Sequence, residues 1–159
     1  MNIEIEMENG KVIKAELYPK LAPITVENFK KLIERNFFNG LVFHRVIEGF
    51  MIQGGGFDAL GNHKATTPIK GEFDSNGVRN ELKHTRGVLS MARTMFPNSA
   101  SSQFFIMHKD APHLDGQYAA FGKVTEGMDV VDEIACCETD YNDKPVVPQV
   151  IRTIRIVED

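Results

Sequence analysis

The sequence of 159 residues predicts a single all-β domain with two helices, arranged as a sandwich or a closed barrel. Short apolar segments that alternate with polar residues recur along the chain, and only two segments have helical periodicity. Turn signals containing Gly, Pro or Asn separate these segments. A closed barrel is the attractive arrangement because it leaves no free edge strand to pair with another chain.

The first two strands are predicted to form a hairpin. Residues 3–7 alternate apolar side chains with glutamate, and the same alternation resumes over residues 13–17. Asn9 and Gly10, between the two runs, provide a tight turn. The alternation indicates that one face of this hairpin is buried and the other is solvated.

A first helix is predicted over residues 24–35. Val26, Phe29 and Ile33 recur at helical spacing and form its apolar stripe. Pro23 is well placed as the first helical residue because its missing N–H is not needed there.

Further elements follow in the same way. A second helix is predicted over residues 128–134. The glycines at 54–56 predict a close-packed bend rather than a phosphate-binding loop, because no Lys-Ser/Thr pair follows them. The remaining strands are predicted over residues 41–46, 50–53, 88–92, 104–107, 119–124 and 150–157.

Composition excludes several classes of function. The net charge is −4, the sequence pI is about 5.7, and the basic residues are scattered, so we expect no nucleic-acid partner. No apolar run approaches the roughly 20 residues of a membrane span, and the first residues do not resemble a signal peptide. We therefore expect a cytoplasmic protein without a membrane partner. Cys136 and Cys137 are adjacent, and we expect two reduced thiols rather than a disulfide.

The segment 43–56 holds the first candidate binding residues. On a strand, Arg45 shares a face with Phe43, and Gln53 shares one with Met51. Mostly apolar surfaces with a few polar donors are typical of ligand grooves. For this segment alone, an arginine lying over apolar neighbours is the simpler interpretation.

Two further segments strengthen the case for a groove. In residues 90–106, Gln103 and Phe105 fall on one strand face, while Phe104 and Ile106 fall on the other and are expected in the core. Residues 113–124 follow with the run His-Leu-Asp-Gly-Gln-Tyr-Ala-Ala-Phe-Gly-Lys-Val.

In order along the chain, three motifs resemble the cyclophilin family of peptidyl-prolyl cis/trans isomerases. They read Phe-His-Arg-Val-Ile-x-Gly-Phe-Met-Ile-Gln-Gly-Gly, Ser-Gln-Phe-Phe-Ile and Leu-Asp-Gly-x-x-x-x-Phe-Gly-Lys-Val. The resemblance extends from the first strand to the last, and we expect residues 1–159 to form one domain. It implies a closed eight-stranded antiparallel barrel with a helix at each end, a filled interior and a substrate groove on the outer surface.

The resemblance also implies an activity and a site. The activity is the acceleration of rotation about X–Pro peptide bonds during protein folding, without covalent chemistry or a cofactor. Arg45 matches the catalytic arginine, and Gln53 would orient it and hold a substrate carbonyl. The substrate-binding positions implied are Phe50, Met51, Ala92, Arg93, Gln103, Phe105, His113, Leu114 and Tyr118.

Three positions depart from the commonest eukaryotic pattern. His113 stands where a tryptophan is common, which is expected to weaken binding of the drug cyclosporin because that tryptophan donates a hydrogen bond to it. Tyr118 stands where a histidine is common. Arg93 stands where asparagine is common, and the loop from it to Pro97 is one residue longer. One hypothesis is that Arg93 favours acidic residues beside the substrate proline.

The expected partners are proline-containing peptides and protein clients, folded or unfolded, and the chain is expected to be a monomer.

An alternative is a module that binds proline segments as a chaperone or assembly partner without turnover. Arg45 favours an enzyme, since binding alone needs no donor at the prolyl nitrogen. A lipocalin-like carrier is disfavoured by the high Phe, Ile and Val content, which predicts a filled barrel. The five histidines lack metal-site spacing, and the serines at 99, 101 and 102 lack a nucleophile elbow.

Overall fold

Eight antiparallel strands form one sheet that curves around an apolar interior. The computed structural model describes residues 1–157. The strands are β1 Asn2–Met7, β2 Val12–Leu17, β3 Leu41–Ile47, β4 Met51–Asp58, β5 Val88–Met91, β6 Phe104–Met107, β7 Ala120–Glu126 and β8 Ile151–Val157. The helices are α1 Pro23–Glu34 and α2 Met128–Ala135.

The prediction of eight antiparallel strands with two helices is confirmed, but the prediction of a closed barrel is wrong. The strand order is β3-β4-β6-β5-β7-β2-β1-β8, which is an open half-barrel with β3 and β8 at its edges. Between these edges lies a single isolated bridge, Val42 to Val150. Pro148 lies just before β8 and has no N–H, so the chain there cannot extend a regular ladder along β3.

The predicted hairpin is confirmed by the register of β1 and β2. Ile3 pairs with Ala15 and Ile5 pairs with Ile13, and all four side chains are buried. The opposite face of this hairpin carries mainly charged side chains, three glutamates and Lys14. One side of the sheet therefore faces the interior and the other faces solvent, as the alternation predicts.

Helix α1 covers the interior and contributes one aromatic side chain, Phe29, to its packing. It begins at Pro23, as predicted, and buries Phe29 completely. The ring of Phe29 lies 5.2 Å from that of Phe104 and 5.1 Å from that of Phe121, measured between centroids. Such aromatic packing fills the space inside the sheet, which contradicts a carrier with an internal ligand cavity.

Strand β4 continues through the three glycines, beyond the predicted end at Gln53. A Cβ on Gly54 would lie 2.6 Å from the carbonyl oxygen of Val42, and Gly55 has φ of +90°. The register between β3 and β4 shifts between Phe43 and Arg45, which marks a bulge opposite these glycines. The predicted close packing is present, but it occurs within a strand.

The remaining boundaries lie within two residues of the predictions. Within residues 1–157, no helix is both long enough and apolar enough to cross a lipid bilayer. Cys136 is exposed and Cys137 is half-buried, and both thiols are free.

Candidate active site

The register of four neighbouring strands aligns the candidate residues in one row. Arg45 on β3 pairs with Gln53 on β4, Gln53 pairs with Phe105 on β6, and Phe105 pairs with Ser90 on β5. The neighbours of these residues along each strand, such as Ile52 and Phe104, point into the interior. The row therefore lies on the outer face of the sheet, where the sequence predicts the groove.

This row crosses a surface pocket with a volume of about 200 Å³. Of the predicted site residues, only Gln103 and His113 do not line it. Gln103 contacts the lining residue Gln53, and the exposed His113 ring lies 5.9 Å from the Phe50 ring. The residues that line the pocket are Arg45, Phe50, Met51, Gln53, Ala92, Arg93, Phe105, Leu114 and Tyr118.

The floor of the pocket is apolar. Met51, Phe105 and Leu114 are 2%, 5% and 8% exposed, and they belong to a second buried cluster on the outer face of the sheet. The Tyr118 ring packs edge-on against Phe105 with centroids 5.7 Å apart, and Phe50 packs against the same cluster. A small apolar ring can lose its water shell in this pocket, which favours its binding.

A relay of hydrogen bonds orders the polar side of the pocket. Nη1 of Arg45 donates to Oε1 of Gln53 at 3.3 Å. Nε2 of Gln53 in turn donates to Oε1 of Gln103 at 3.0 Å. The Gln53 carboxamide therefore presents its oxygen to the exposed Arg45 guanidinium, and the other guanidinium N–H groups can donate to a ligand.

Three polar side chains, those of His84, Ser90 and Asp115, form a hydrogen-bonded group beside Phe105. Nε2 of His84 lies 2.8 Å from the Ser90 hydroxyl, and Nδ1 lies 3.1 Å from a carboxylate oxygen of Asp115. Burial lowers the pKa of His84 despite Asp115. The His84 ring stacks on Phe105 with centroids 6.0 Å apart. Ser90 is completely buried, so this Ser-His-Asp array cannot act as a nucleophile on a ligand.

Sequence reasoning missed this buried group. A serine in the otherwise apolar strand β5 was a usable signal for Ser90. Nothing in the local sequence indicated that His84, which lies in a loop, reaches it.

The turn that carries Phe50 is tied to helix α2. The Gly49 N–H donates to Nδ1 of His108 at 2.9 Å, and the Phe50 carbonyl accepts the His108 N–H at 2.8 Å. Nε2 of His108 lies 3.2 Å from Asp132 on α2. Arg86 binds the same carboxylate through two hydrogen bonds of 2.7 Å and holds the pKa of Asp132 below its usual value. These contacts fix the wall of the pocket formed by Phe50.

His44 lies beside Arg45 in the sequence but outside the pocket. Its Nδ1 is buried without a hydrogen-bond partner, and its ring packs 4.7 Å from that of Phe57. Burial lowers the pKa of His44 to about 4, with a smaller contribution from Arg45. Across residues 1–157, no three side chains of His, Cys, Asp or Glu converge as a metal site.

Comparisons with known sequences point to one family. Residues 2–156 match the family described as cyclophilin type peptidyl-prolyl cis-trans isomerase/CLD. A peptidyl-prolyl cis-trans isomerase of Acinetobacter baylyi is 48% identical over 166 residues, covering 98% of this chain and 86% of the relative. One from Schizosaccharomyces pombe is 38% identical over 157 residues, covering 98% of this chain and 99% of the relative.

Solved structures show the same fold. A Cryptosporidium parvum cyclophilin type peptidyl-prolyl cis-trans isomerase, crystallised in the presence of the dipeptide Ala-Pro, superimposes with a TM-score of 0.85. It is 31% identical, and the match covers 100% of both chains. A cyclophilin from Hirschia baltica has a TM-score of 0.79 and 28% identity, over 97% of this chain and 73% of that one. By sequence and by fold, the chain belongs to the cyclophilin-type peptidyl-prolyl cis-trans isomerase family.

Proposed function

We propose that the pocket holds the proline ring of an X–Pro peptide and that Arg45 stabilises the amide in its twisted state. The observation that carries this proposal is the position of the Arg45 guanidinium, which is exposed at the edge of an apolar pocket and oriented by Gln53. The isomerase activity follows from the family, and the proposal concerns how this chain performs it.

The reaction requires a donor rather than a nucleophile. Rotation about an amide bond faces a barrier of about 18–20 kcal/mol, which arises from resonance between nitrogen and carbonyl. An X–Pro bond has nearly balanced isomers but takes tens to hundreds of seconds to interconvert. In the twisted state the prolyl nitrogen regains its lone pair, and no covalent bond forms or breaks.

Arg45 has the chemistry to stabilise that lone pair. A guanidinium donates hydrogen bonds and does not lose its own proton at physiological pH. A hydrogen bond made only in the twisted state lowers the barrier, whereas equal binding of both isomers does not. One charged hydrogen bond supplies about 1.5–3 kcal/mol, while five decades of rate require roughly 7 kcal/mol.

The other pocket residues supply the remainder in this proposal. The buried floor formed by Met51, Phe105 and Leu114 excludes water from the proline ring and fixes its position relative to Arg45. Gln53 accepts from the guanidinium, and in this proposal the second N–H of its Nε2 donates to a substrate carbonyl. Fixed dipoles at a partly dehydrated site need little reorganisation during the reaction.

We further infer that the substrates are proline-containing segments of protein chains, so that the chain assists protein folding. The pocket lies on the outer face of the sheet and is open at the surface, so an extended segment can enter without unfolding the enzyme. The structure of the C. parvum relative was determined in the presence of the dipeptide Ala-Pro, which supports a proline-containing peptide as the ligand.

The test is two-dimensional NMR exchange on a short Ala-Pro peptide at catalytic enzyme concentrations. Wild type should accelerate cis/trans exchange, and Arg45→Ala should lower kcat/KM by about 10- to 100-fold. Arg35→Ala, which removes an exposed arginine at the end of α1, should remain within about twofold of wild type. Acceleration that is unchanged in Arg45→Ala would reject the role of Arg45. Peptide shifts without any acceleration would indicate a binding module.

A further inference from the structure

We propose that Arg93 is a positioning residue that holds the Tyr118 wall of the groove through its side chain, rather than a charge that selects acidic substrates. This inference rests on the proposed function of the pocket, because Arg93 and Tyr118 both line it. It assigns a role to one of the three positions that depart from the commonest eukaryotic pattern.

Every nitrogen of the Arg93 guanidinium has a partner within the protein. Nε and Nη2 both donate to the carbonyl oxygen of Gln117, at 3.1 and 2.6 Å. Nη1 donates to the carbonyl oxygen of Thr94 at 2.9 Å. Gln117 immediately precedes Tyr118, so the two-pronged hydrogen bond fixes the backbone that carries this ring.

Two aromatic rings also lie against the guanidinium. The central carbon of Arg93 lies 4.7 Å from the ring centroid of Phe73 and 4.7 Å from that of Tyr118. Phe73 is 1% exposed and belongs to the interior cluster, so it provides a fixed support. Arg93 therefore connects the Tyr118 ring to a rigid part of the fold.

The loop that begins at Arg93 is held by further hydrogen bonds. The Thr94 N–H and hydroxyl both lie within 2.9 Å of the Ser99 hydroxyl oxygen, and that hydroxyl also lies 2.6 Å from the carbonyl of Phe96. The bond from Arg93 to the Thr94 carbonyl links this ordered loop to the Gln117 backbone.

These contacts distinguish a positioning role from selection by charge. Nε and Nη2 share the Gln117 carbonyl and Nη1 donates to the Thr94 carbonyl, so a substrate carboxylate would meet only the second N–H groups of Nη1 and Nη2. Lysine retains the positive charge but has neither the planar faces nor the fork of donors. Arg93→Lys therefore separates the two roles.

The experiment measures kcat and KM by exchange NMR on two peptides that carry Glu or Lys beside the X–Pro pair. Arg93→Lys and Arg93→Gln should each raise KM about fivefold for both peptides, with kcat within about twofold of wild type. The ring signals of Tyr118 in the free protein should shift and broaden in both variants. Arg35→Lys is the matched control, because Arg35 also lies over a ring, that of Phe37 at 5.3 Å, outside the groove.

Three outcomes would overturn the proposal. Wild-type KM values in Arg93→Lys, with losses in Arg93→Gln for the Glu peptide alone, would show that charge selects the substrate. Unchanged Tyr118 signals in both variants would show that Arg93 does not hold this wall. Equal losses in Arg35→Lys would indicate general destabilisation. If wild type lacks isomerase activity the proposed function fails, while the Tyr118 signals still decide whether Arg93 positions the ring.

Discussion

At the scale of single residues, the orientation of Arg45 depends on two carboxamides behind it. Oε1 of Gln53 faces Arg45 only when Nε2 of the same carboxamide faces Gln103. Oε1 of Gln103 accepts from this Nε2 and so fixes the orientation of the Gln53 carboxamide. Gly56 leaves the space that Gln103 needs, since a Cβ there would lie 2.5 Å from Cγ of Gln103. The glycines of β4 therefore contribute to the site as well as to the fold.

This relay predicts different activities for two substitutions at Gln103. Gln103→Glu keeps an oxygen acceptor for Nε2 of Gln53, and kcat/KM should stay within about threefold of wild type. Gln103→Leu removes the acceptor and allows the Gln53 carboxamide to rotate, so kcat/KM should fall by about five- to tenfold. Exchange NMR on an Ala-Pro peptide measures both values. Equal rates in the two variants would mean that Gln103 does not orient Gln53.

His113 leads to a prediction about cyclosporin. The residue is exposed and its ring lies 5.9 Å from that of Phe50, so a larger ring can be placed there without repacking the core. His113→Trp adds an indole N–H donor and should tighten cyclosporin binding by about two- to tenfold, the effect of one neutral hydrogen bond. Titration calorimetry measures the affinity. His113→Phe is the control, and equal tightening in both variants would assign the gain to apolar contact.

His44 predicts a loss of stability in mild acid. Its pKa is about 4 in the folded protein, because burial disfavours the charged ring, against 6.5 for an unperturbed histidine. Between these values the unfolded chain binds more protons than the folded one, so stability falls as the pH decreases through this window. The urea midpoint of wild type should therefore fall more between pH 7 and pH 4.5 than that of His44→Gln. Parallel curves would contradict this assignment.

At the scale of elements, the sequence predicted strands best where one face is buried. The hairpin of β1 and β2 alternates cleanly and was placed within one residue of its observed bounds. Strand β4 extends past the predicted end at Gln53, because three successive glycines carry no side-chain signal although the neighbouring chain packs closely against them. Arg45 and Phe105 were placed from motifs, whereas His84 was not, because loop contacts leave no periodic pattern.

Helix α1 has a remote N-terminal cap that the sequence did not reveal. A carboxylate oxygen of Glu72 accepts the backbone N–H of Thr25 at 2.7 Å and its hydroxyl at 2.8 Å. Glu72 is 2% exposed and lies 47 positions along the chain from Thr25. Glu72 therefore satisfies a backbone donor in the first turn of the helix. The residue at the usual capping position, Ala22, cannot do this because its side chain has no acceptor.

Removing this cap should destabilise the protein more than removing an exposed carboxylate from the same helix. Glu72→Ala leaves buried donors at the start of α1 without an acceptor and should lower the free energy of unfolding by about 1–3 kcal/mol. Glu27→Ala on the same helix removes an exposed carboxylate and should change it by about 0.5 kcal/mol or less. Urea denaturation followed by circular dichroism measures both. Similar values for the two variants would mean that Glu72 is not a functional cap.

At the scale of the whole molecule, one sheet separates two apolar clusters. The interior cluster holds the buried face of α1 and the packed rings of Phe29, Phe104 and Phe121, while the outer cluster forms the floor of the pocket. Strands β4, β5 and β6 contribute to both clusters, so the groove is built on the part of the sheet that is buried on both faces. The open seam between β3 and β8 lies at the sheet edges, where the chain before β8 contains Pro145 and Pro148.

The open seam predicts uneven protection from hydrogen exchange. The Gly40 and Phe43 N–H groups donate to Ile151 and Gln149 across the seam, at 2.9 and 3.0 Å, without a continuous ladder beside them. Ile106 lies on β6, which is paired on both sides, to Ile52 and to Leu89. Local opening of the seam breaks few contacts, whereas exposing β6 requires the sheet to separate. The seam amides should therefore exchange at least about tenfold faster than the Ile106 amide.

Amide exchange followed by NMR at neutral pH measures these rates residue by residue. The Ile5 amide is the control for the β8 side, because β1 lies between β2 and β8 in the sheet and should keep its protection. Fast exchange at Ile5 as well would indicate that the whole terminal hairpin opens rather than the seam. Equal protection at Phe43 and Ile106 would mean that the seam opens only on global unfolding. In that case the half-barrel would have the cooperativity of a closed barrel despite its incomplete ladder.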